Sequence, residues 1–448
     1  MIGYCRSISS CFTFASTLMP LLSGRTFMSG RGLKIGGIAA VLLGSAVVAH
    51  AGGFERSSQD FDILFEQGNA VDASGTFVAP QRKLKDIRGS AISGMTGGIN
   101  PRTGQPFETS VDEAKSYWVP KLSAKFDLTT DLACAAQYRQ PWGISTDVGI
   151  DTVRSYTAIE QKISSNDYGL NCSYRFAAGE KGYFRLLGGV SYQELHGEQT
   201  KMIPGLPQGN PYGIPAGPTR IGSLDVDDHA FGWRLGAAYE IPEYAVRASV
   251  VYQSKINYEL EGTVDNLVIN PFTQQSIPIN VGSDVSTPQS VEFKFQTGIA
   301  PDWLAFGSVK WTDWSSIEAV NFVASDSKVL PTGTKVTSLN LYYQDGWTVS
   351  GGVGHKLNDQ WSVAGTVTWD RGTSTGLTSQ TDIWLFGLGT NYKPNDQFEV
   401  RLAGAAGWLT SGEIDDTVVN GERSLLGSKG TFGNDFVGGL SLTAKVKF

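Results

Sequence analysis

Charge is scarce in this chain: Asp, Glu, Lys and Arg make up 18% of 448 residues, below the roughly 25% of an ordinary soluble domain. Cysteine is scarcer still. Four occur, Cys5, Cys11, Cys134 and Cys172, too few for a secreted scaffold held by disulfides. No H-E-x-x-H or C-x-x-C occurs, and neither of the corresponding metal or redox chemistries is indicated. Beyond residue 51 no apolar run approaches the ~18 residues a membrane helix needs. No helical period persists. What is abundant is glycine, 54 residues or about 12% against a usual ~7%, together with 11% aromatic residues. The chain is too aromatic to be disordered, and this balance points to β-structure.

The first 51 residues read as a leader. From Met28, the cations Arg31 and Lys34 precede an apolar stretch from Ile35 to Val48 and an Ala49-His50-Ala51 site. This is the pattern of a secretory signal over 28–51, with Gly52 as the expected mature start and residues 1–27 as an upstream start or an over-long n-region. The leader carries four cations and no acid, so its removal takes the formal net charge from −7 to −11. An acidic exported chain is not expected to bind nucleic acid.

The remaining sequence alternates with period 2 in segments of about ten residues. In the last segment Leu440, Leu442, Ala444, Val446 and Phe448 face one way, and Ser441, Thr443, Lys445 and Lys447 the other. Trp361 and Trp369 share a face eight residues apart, about 26 Å along a strand, which fits the two aromatic girdles of an outer-membrane barrel. Fourteen such segments are expected across 115–448, with 152–164 and 167–178 as separate strands. From the fourth strand onward, tight turns alternate with long connections, and the short turns are expected to face the periplasm. The fold expected is thus all-β, a transmembrane antiparallel barrel. Residues 52–114 contain the apolar run Phe61-Asp-Ile-Leu-Phe65, then Phe77-Val78, then Arg82, Lys83, Lys85 and Arg88. They are expected to form a plug in a lumen of this width.

Strand parity points Arg175, Arg185, Arg234, Arg247 and Arg401 inward. They are expected either to brace wall against plug, paired with acids such as Glu160, Glu240, Glu292 and Asp370, or to hold a ligand carboxylate. Loops 202–215 and 267–279 are apolar and are candidates for capture of a hydrophobic ligand or for closing the barrel top. His196 and His229 flank the first of these loops, near Asp225, Asp227 and Asp228, and offer a weak metal or pH-sensitive group; no dedicated metal site or cofactor is expected. Catalysis by a Ser/His pair is not expected either. Parity places Cys134 and Cys172 on the outer face with one strand between them, ~10 Å apart. That exceeds the reach of a disulfide, so two free thiols are expected.

The sequence resembles the outer-membrane long-chain fatty acid and hydrophobic compound transporters of the FadL, OMPP1 and TodX group. The resemblance rests on Gly52-Gly53-Phe54, on Phe77-Val-Ala-Pro80 in place of an Asn-Pro-Ala motif, on Trp311-Thr-Asp-Trp314-Ser315, and on Tyr343-Gln-Asp-Gly-Trp347 through Leu357 with Trp361 and Trp369-Asp370. It implies a fourteen-stranded barrel, an N-terminal hatch and uptake of long-chain fatty acids or similar molecules. Phe54, Ile63, Leu64, Phe65, Phe77 and Val78 are then the candidates to contact or gate the ligand. A general porin is the alternative. Expected partners are outer-membrane lipid, lipopolysaccharide and, through Phe448, the barrel assembly machinery, with the protein a monomer.

Overall fold

The computed structural model describes residues 53–448 except 58–60, 90–93, 95, 206–216, 271 and 327. The signal peptide, the start at Gly52 and the 206–216 part of the first apolar loop lie outside the described residues. Nineteen hydrogen-bonded segments form one sheet; five strands are each broken in two, so the sheet is a barrel of fourteen antiparallel strands. In order these are β1 (Ala70–Pro80), β2 (Tyr117–Asp127), β3 (Leu132–Arg139 and Gly143–Asp147), β4 (Glu160–Ala178), β5 (Gly182–Ile203), β6 (Arg220–Ile241) and β7 (Val246–Gln253 and Ile256–Ile269). There follow β8 (Ser276–Thr287 and Ser290–Ala300), β9 (Trp303–Thr312 and Ala319–Ala324), β10 (Lys335–Asn340 and Gly346–Lys356), β11 (Trp361–Asp370), β12 (Ile383–Tyr392), β13 (Phe398–Leu409) and β14 (Asp435–Lys447). The ring closes through β1, which pairs with β14 on one side and β2 on the other. Closure leaves no free edge.

Two expectations are corrected here. Residues 152–164 are not a strand of their own: β4 runs unbroken over nineteen residues from Glu160 and pairs directly with β3. No strand separates Cys134 from Cys172. They are register partners with Cα atoms 4.0 Å apart, and they form a disulfide. The outward face expected for them stands, since Cys134 shares its face with the exposed Ala136 and Cys172 alternates with buried Asn171 and Ser173. The second correction concerns the plug boundary at 114. Ala70–Pro80 is a wall strand, and Lys83–Gly89 pairs with Ser428–Phe432 in a small sheet at the long-loop end. Its buried side chains, Leu84, Ile87, Ile414 and Phe432, pack with Val153, Tyr156 and Met202. The loss of one expected strand and the gain of another leave the count at fourteen.

The outer surface carries the expected girdles. Toward the long loops, Trp311 is paired with Trp347, and Trp369, Trp384, Trp408 and Phe436 follow one another across β11 to β14. Toward the short turns, Trp303 stacks on His355 and Trp361 lies beside Tyr392. Leu388, Leu440, Leu402 and Leu235 on the same face are more than half exposed, as residues facing lipid are.

The breaks matter inside. In β7 the inward set is Arg247, Ser249, Val251 and Gln253 before the break, and Ile256, Tyr258 and Leu260 after it. An interruption at Ser254–Lys255 shifts the parity by one, and a shift by one residue exchanges the faces. The break also marks a change in chemistry. The inward residues are largely polar on the short-turn side and apolar on the long-loop side.

Candidate functional site

The lumen is built in three tiers. At the short-turn end, a 3-10 turn at Asp62–Phe65 brings Phe61, Ile63 and Leu64 against inward-facing Ala133, Ala135, Leu187, Ala238 and Val251. Leu64 is wholly buried. Small residues on the wall make room for the large ones on this segment. Charge then fastens it. Asp62 pairs with Arg247 (3.2 Å) and Lys294 (2.9 Å), and Arg185 Nη1 donates to the Leu64 carbonyl at 3.2 Å while its Nε meets Glu240 at 2.8 Å. Phe65 lies under the guanidinium groups of Arg247 and Arg185, 4.3 and 5.0 Å from its ring centre. Lys125 donates to the carbonyls of Glu66 and Gly68, both at 2.8 Å. Glu66 accepts from Lys445 and Lys447. Burial alone would raise the Glu66 carboxyl, but those two ammonium groups outweigh it and hold it at about 2.

The middle tier is a buried polar knot. Arg234 and Arg139 both bind Asp167 Oδ2, at 2.6 and 3.1 Å, and Gln193 Nε2 donates to the same atom at 2.8 Å. Arg139 also donates to Gln253. Gln193 Oε1 in turn accepts from Trp142 Nε1 (2.7 Å) and from the Tyr258 hydroxyl (2.6 Å). The three charged residues are at most 2% exposed.

Above the knot sits an aromatic cluster that joins two breaks in the wall. Trp142 comes from the break in β3 and Trp314 from the break in β9; their rings meet edge to face at 5.5 Å. Phe54 lies against Trp314 and Tyr343 at 6.0 and 5.6 Å. The N-terminal segment reaches this point by adding to β3. Gly143 N donates to the Phe54 carbonyl and Arg56 N to that of Pro141, both at 2.7 Å. Arg56 stacks on Tyr117 of β2, 4.1 Å from the ring centre. Residues 54–57 therefore stand where β3, displaced at its break, no longer pairs with β2. Glu55 forms a buried ion pair with Lys310, and Gly53 N donates to Thr373 Oγ1. Gly53 has φ +55°, and a Cβ there would lie 2.7 Å from the Trp314 ring. Only glycine fits that approach.

Two cavities open above this cluster. One of about 440 Å³ is lined by residues including Phe54, Tyr156, Lys201, Leu341, Tyr343 and Gln380. A smaller one of about 100 Å³ is mostly apolar, with Ile163, Leu195, Val226, Leu260, Ile317 and Phe322 among its walls. Phe54, Ile144, Leu339 and Leu341 border both. The first lies within the range of ordinary small-molecule sites.

The expected residues thus separate. Phe54 borders the cavities, and Ile63, Leu64 and Phe65 belong to the lower seal. Phe77 is misplaced by the plug expectation: it points outward on β1 and packs on Trp118, 65% exposed, at 5.1 Å. Val78 is buried in a wall cluster with Ile383, Leu385 and Val437. Arg185 and Arg247 brace the segment 61–66. Arg234 belongs to the knot. Arg401 binds Glu399 at 2.6 Å, and Arg175 binds Asp131 near the short-turn rim at 3.3 Å. Arg82 pairs with Asp435 and stacks on Phe432, while Lys83, Lys85 and Arg88 are exposed in the loop sheet. His196 lies 2.8 Å from Glu198 and 3.9 Å from Asp225. His229 is not part of that group and lies against Tyr192. In the second apolar loop Leu267, Val268 and Ile279 pack on the inner apolar cluster, while Phe272 is 93% exposed. Sequence reasoning missed Trp142, Arg139 and Asp167, and gave Trp314 and Tyr343, named only within the motifs of the resemblance, no place in the lumen. Parity could have found Arg139 and Asp167. The three aromatics stand at breaks, where parity is silent.

Comparison with known proteins agrees with this architecture. The family described as outer membrane protein transport protein (OMPP1/FadL/TodX) matches residues 68–435. A long-chain fatty acid transport protein of Shigella flexneri is 20% identical over 324 residues, covering 64% of this chain and 70% of its own. Among solved structures, a Pseudomonas aeruginosa FadL homologue superposes with a TM-score of 0.71 at 18% identity, over 86% of this chain and 92% of the other. The Pseudomonas putida toluene transporter TodX gives 0.59 at 16% identity, over 92% and 98%. With its fourteen-strand barrel and a match across most of its length, the chain belongs to the OMPP1/FadL/TodX family of outer-membrane transport proteins.

Proposed function

We propose that this protein carries long-chain fatty acids or similar amphipathic hydrophobic molecules passively across the outer membrane, with residues 53–57 as the gate and 61–69 as its anchored base. The observation that carries this reading is Phe54. It stands between two cavities above and a sealed tier below, on a segment hydrogen-bonded to a displaced part of the wall. Withdrawal of that segment would free the seam between β2 and β3, at the cost of its hydrogen bonds to β3, the Glu55–Lys310 ion pair and the ring contacts of Phe54 and Arg56. A ligand in the apolar upper lumen gains about 0.8 kcal/mol per buried CH₂, so affinity should rise with chain length.

The names of the relatives, long-chain fatty acid transport proteins and toluene transporters, support a hydrophobic cargo. In this reading residues 1–51 are removed on export, the short turns face the periplasm, and the monomer is surrounded by lipid and lipopolysaccharide. Phe448, 64% exposed at the end of the last strand, serves recognition by the assembly machinery. The lumenal arginines act chiefly as braces. Among them the knot of Arg139 and Arg234 on one carboxylate has an excess of positive charge, and it is where a fatty-acid carboxylate would be drawn once the cluster opens. Deletion of residues 53–65 tests the gate. The variant should remain a folded, heat-modifiable barrel, lose saturable oleate uptake and conduct ions steadily. Unchanged uptake with unchanged chain-length dependence would overturn the gating role, and steady conductance in the wild type would favour a general porin.

A further inference from the structure

The two cavities above the aromatic cluster differ in chemistry. The smaller is mostly apolar. The larger is edged by amides and hydroxyls that come from separate elements. Gln161 and Gln199 are register partners on β4 and β5. Tyr156 ends the 3-10 turn at Val153–Tyr156, between β3 and β4. Tyr343 stands in the break of β10, and Thr378 and Gln380 in the connection from β11 to β12. The alternation of no single strand produces this convergence.

Much of that polarity is unused. Tyr156 is 1% exposed and Tyr343 4%, yet neither hydroxyl makes a hydrogen bond. Thr378 Oγ1 and Gln380 Oε1 are likewise buried without a partner, and Tyr343 and Thr378 lie near each other without closing a bond. Tyr258, as deeply buried on β7, instead donates to Gln193 at 2.6 Å, which is the usual state of a buried hydroxyl. A buried donor or acceptor left unpaired is destabilising. Four such atoms on the walls of one cavity are relieved together by a bound molecule with matching groups. Burial raises the Tyr156 phenol to about 12, so it is a donor at neutral pH. Lys201 also borders the cavity; its Nζ donates to Thr337 Oγ1 at 2.7 Å, and it forms no ion pair among the described residues.

We propose that the larger cavity binds acyl chains that bear hydroxyl groups, with Tyr156, Tyr343 and Gln380 pairing those groups. An aliphatic hydroxyl donates one hydrogen bond and accepts others, so it can give to Gln380 Oε1 and take from a tyrosine. An unsubstituted chain fills the same volume and leaves every one of these atoms unpaired. A site built to pair a hydroxyl discriminates strongly against the analogue that lacks it. The plain part of the chain extends into the smaller cavity, with which the larger shares Phe54 and Leu341. This rests on the transport reading above and adds to it the class of cargo. Two sources supply the chemistry: a hydroxylated fatty acid, whose carboxylate Lys201 would meet, and a fatty acyl ester of glycerol, which is neutral.

The test compares ligands before it compares variants. Stearate, a mid-chain hydroxystearate and monostearoylglycerol are titrated against the purified, detergent-solubilised protein by displacement of a fluorescent oleate analogue. The better of the two hydroxylated ligands should bind at least about 10-fold more tightly than stearate, and which of them it is identifies the source. Tyr156→Phe/Tyr343→Phe should remove that preference. It should not lower the urea midpoint, because the hydroxyls it deletes are unpaired, whereas Tyr258→Phe should lower it. Tyr343→Phe alone serves if the double variant gives no heat-modifiable barrel. Equal affinity of the wild type for all three ligands, or a preference that survives the tyrosine substitutions, overturns the hydroxyl site and leaves transport standing. Failure of all three to bind would contradict the transport reading itself.

Discussion

The two halves of the lumen hold their contents by different forces. Near the short turns, the inserted segment is gripped by Arg185, Arg247, Lys294, Lys125, Lys445 and Lys447. Such charge-assisted contacts are directional and fix one arrangement. Near the long loops, the walls are Leu195, Val226, Leu260, Ile317 and Phe322. Burial of apolar surface is non-directional and accepts any greasy chain of suitable girth. A transporter of hydrophobic molecules needs both: a seal that recognises only its own chain, and a cavity that is indifferent to detail. The polar knot at Asp167 and the aromatic cluster at Phe54 form the boundary.

The largest effect should come from that boundary. Asp167 neutralises part of the charge of two buried guanidinium groups. Asp167→Asn leaves both without a counter-ion and should cost about 3–5 kcal/mol, read as a lower urea midpoint for the detergent-solubilised barrel. Arg139→Met or Arg234→Met leaves one cation facing one anion and should cost clearly less; equal losses would show that Asp167 is not the hub. In the lower half, Leu64→Ala should weaken the seal by about 2–4 kcal/mol and appear as flickering ion conductance in planar bilayers. The corresponding Leu260→Ala in the upper half enlarges the apolar cavity and should leave conductance unchanged while shifting the preferred ligand to longer or bulkier chains. Removing the outward disulfide with Cys134→Ala/Cys172→Ala should lower stability by roughly 2–3 kcal/mol without affecting uptake, since it touches neither half of the lumen.

The smallest effect is tied to pH. The Glu66 carboxyl is depressed to about 2 when folded, from 4.5, so its pairing with Lys445 and Lys447 stabilises the seal fully above pH 4.5. That contribution fades as pH falls toward 2. At neutral pH Glu66→Gln should therefore destabilise the protein, on the order of 2 kcal/mol after allowance for screening at the mouth. The difference from wild type should vanish by about pH 2. A difference independent of pH would mean that Glu66 acts by packing.

Strand alternation and the paired tryptophans of β11 made the barrel legible from sequence, and parity correctly turned Arg185, Arg234, Arg247 and Arg401 inward. Ala70–Pro80 escaped because its outward residues, Val71, Ala73, Gly75 and Phe77, are mostly small, and small residues carry little hydrophobic contrast. The single long strand β4 was read as two because Ser164-Ser-Asn-Asp167 resembles a turn; of these, Ser165 and Asp167 face inward and Asp167 is the centre of the knot, and the misreading hid the disulfide. Breaks in five strands were invisible for the same reason that they matter. They suspend the alternation from which faces are read, and Trp142, Trp314 and Tyr343 reach the lumen there.

The central claim is that residues 53–57 move when cargo passes. Glu55 and Trp142 are bridge partners across the segment and β3, a pairing suited to a disulfide. In the Cys134→Ala/Cys172→Ala background, Glu55→Cys with Trp142→Cys should lose saturable oleate uptake when oxidised and recover it when reduced. Equal uptake in the oxidised and reduced protein would contradict a moving gate.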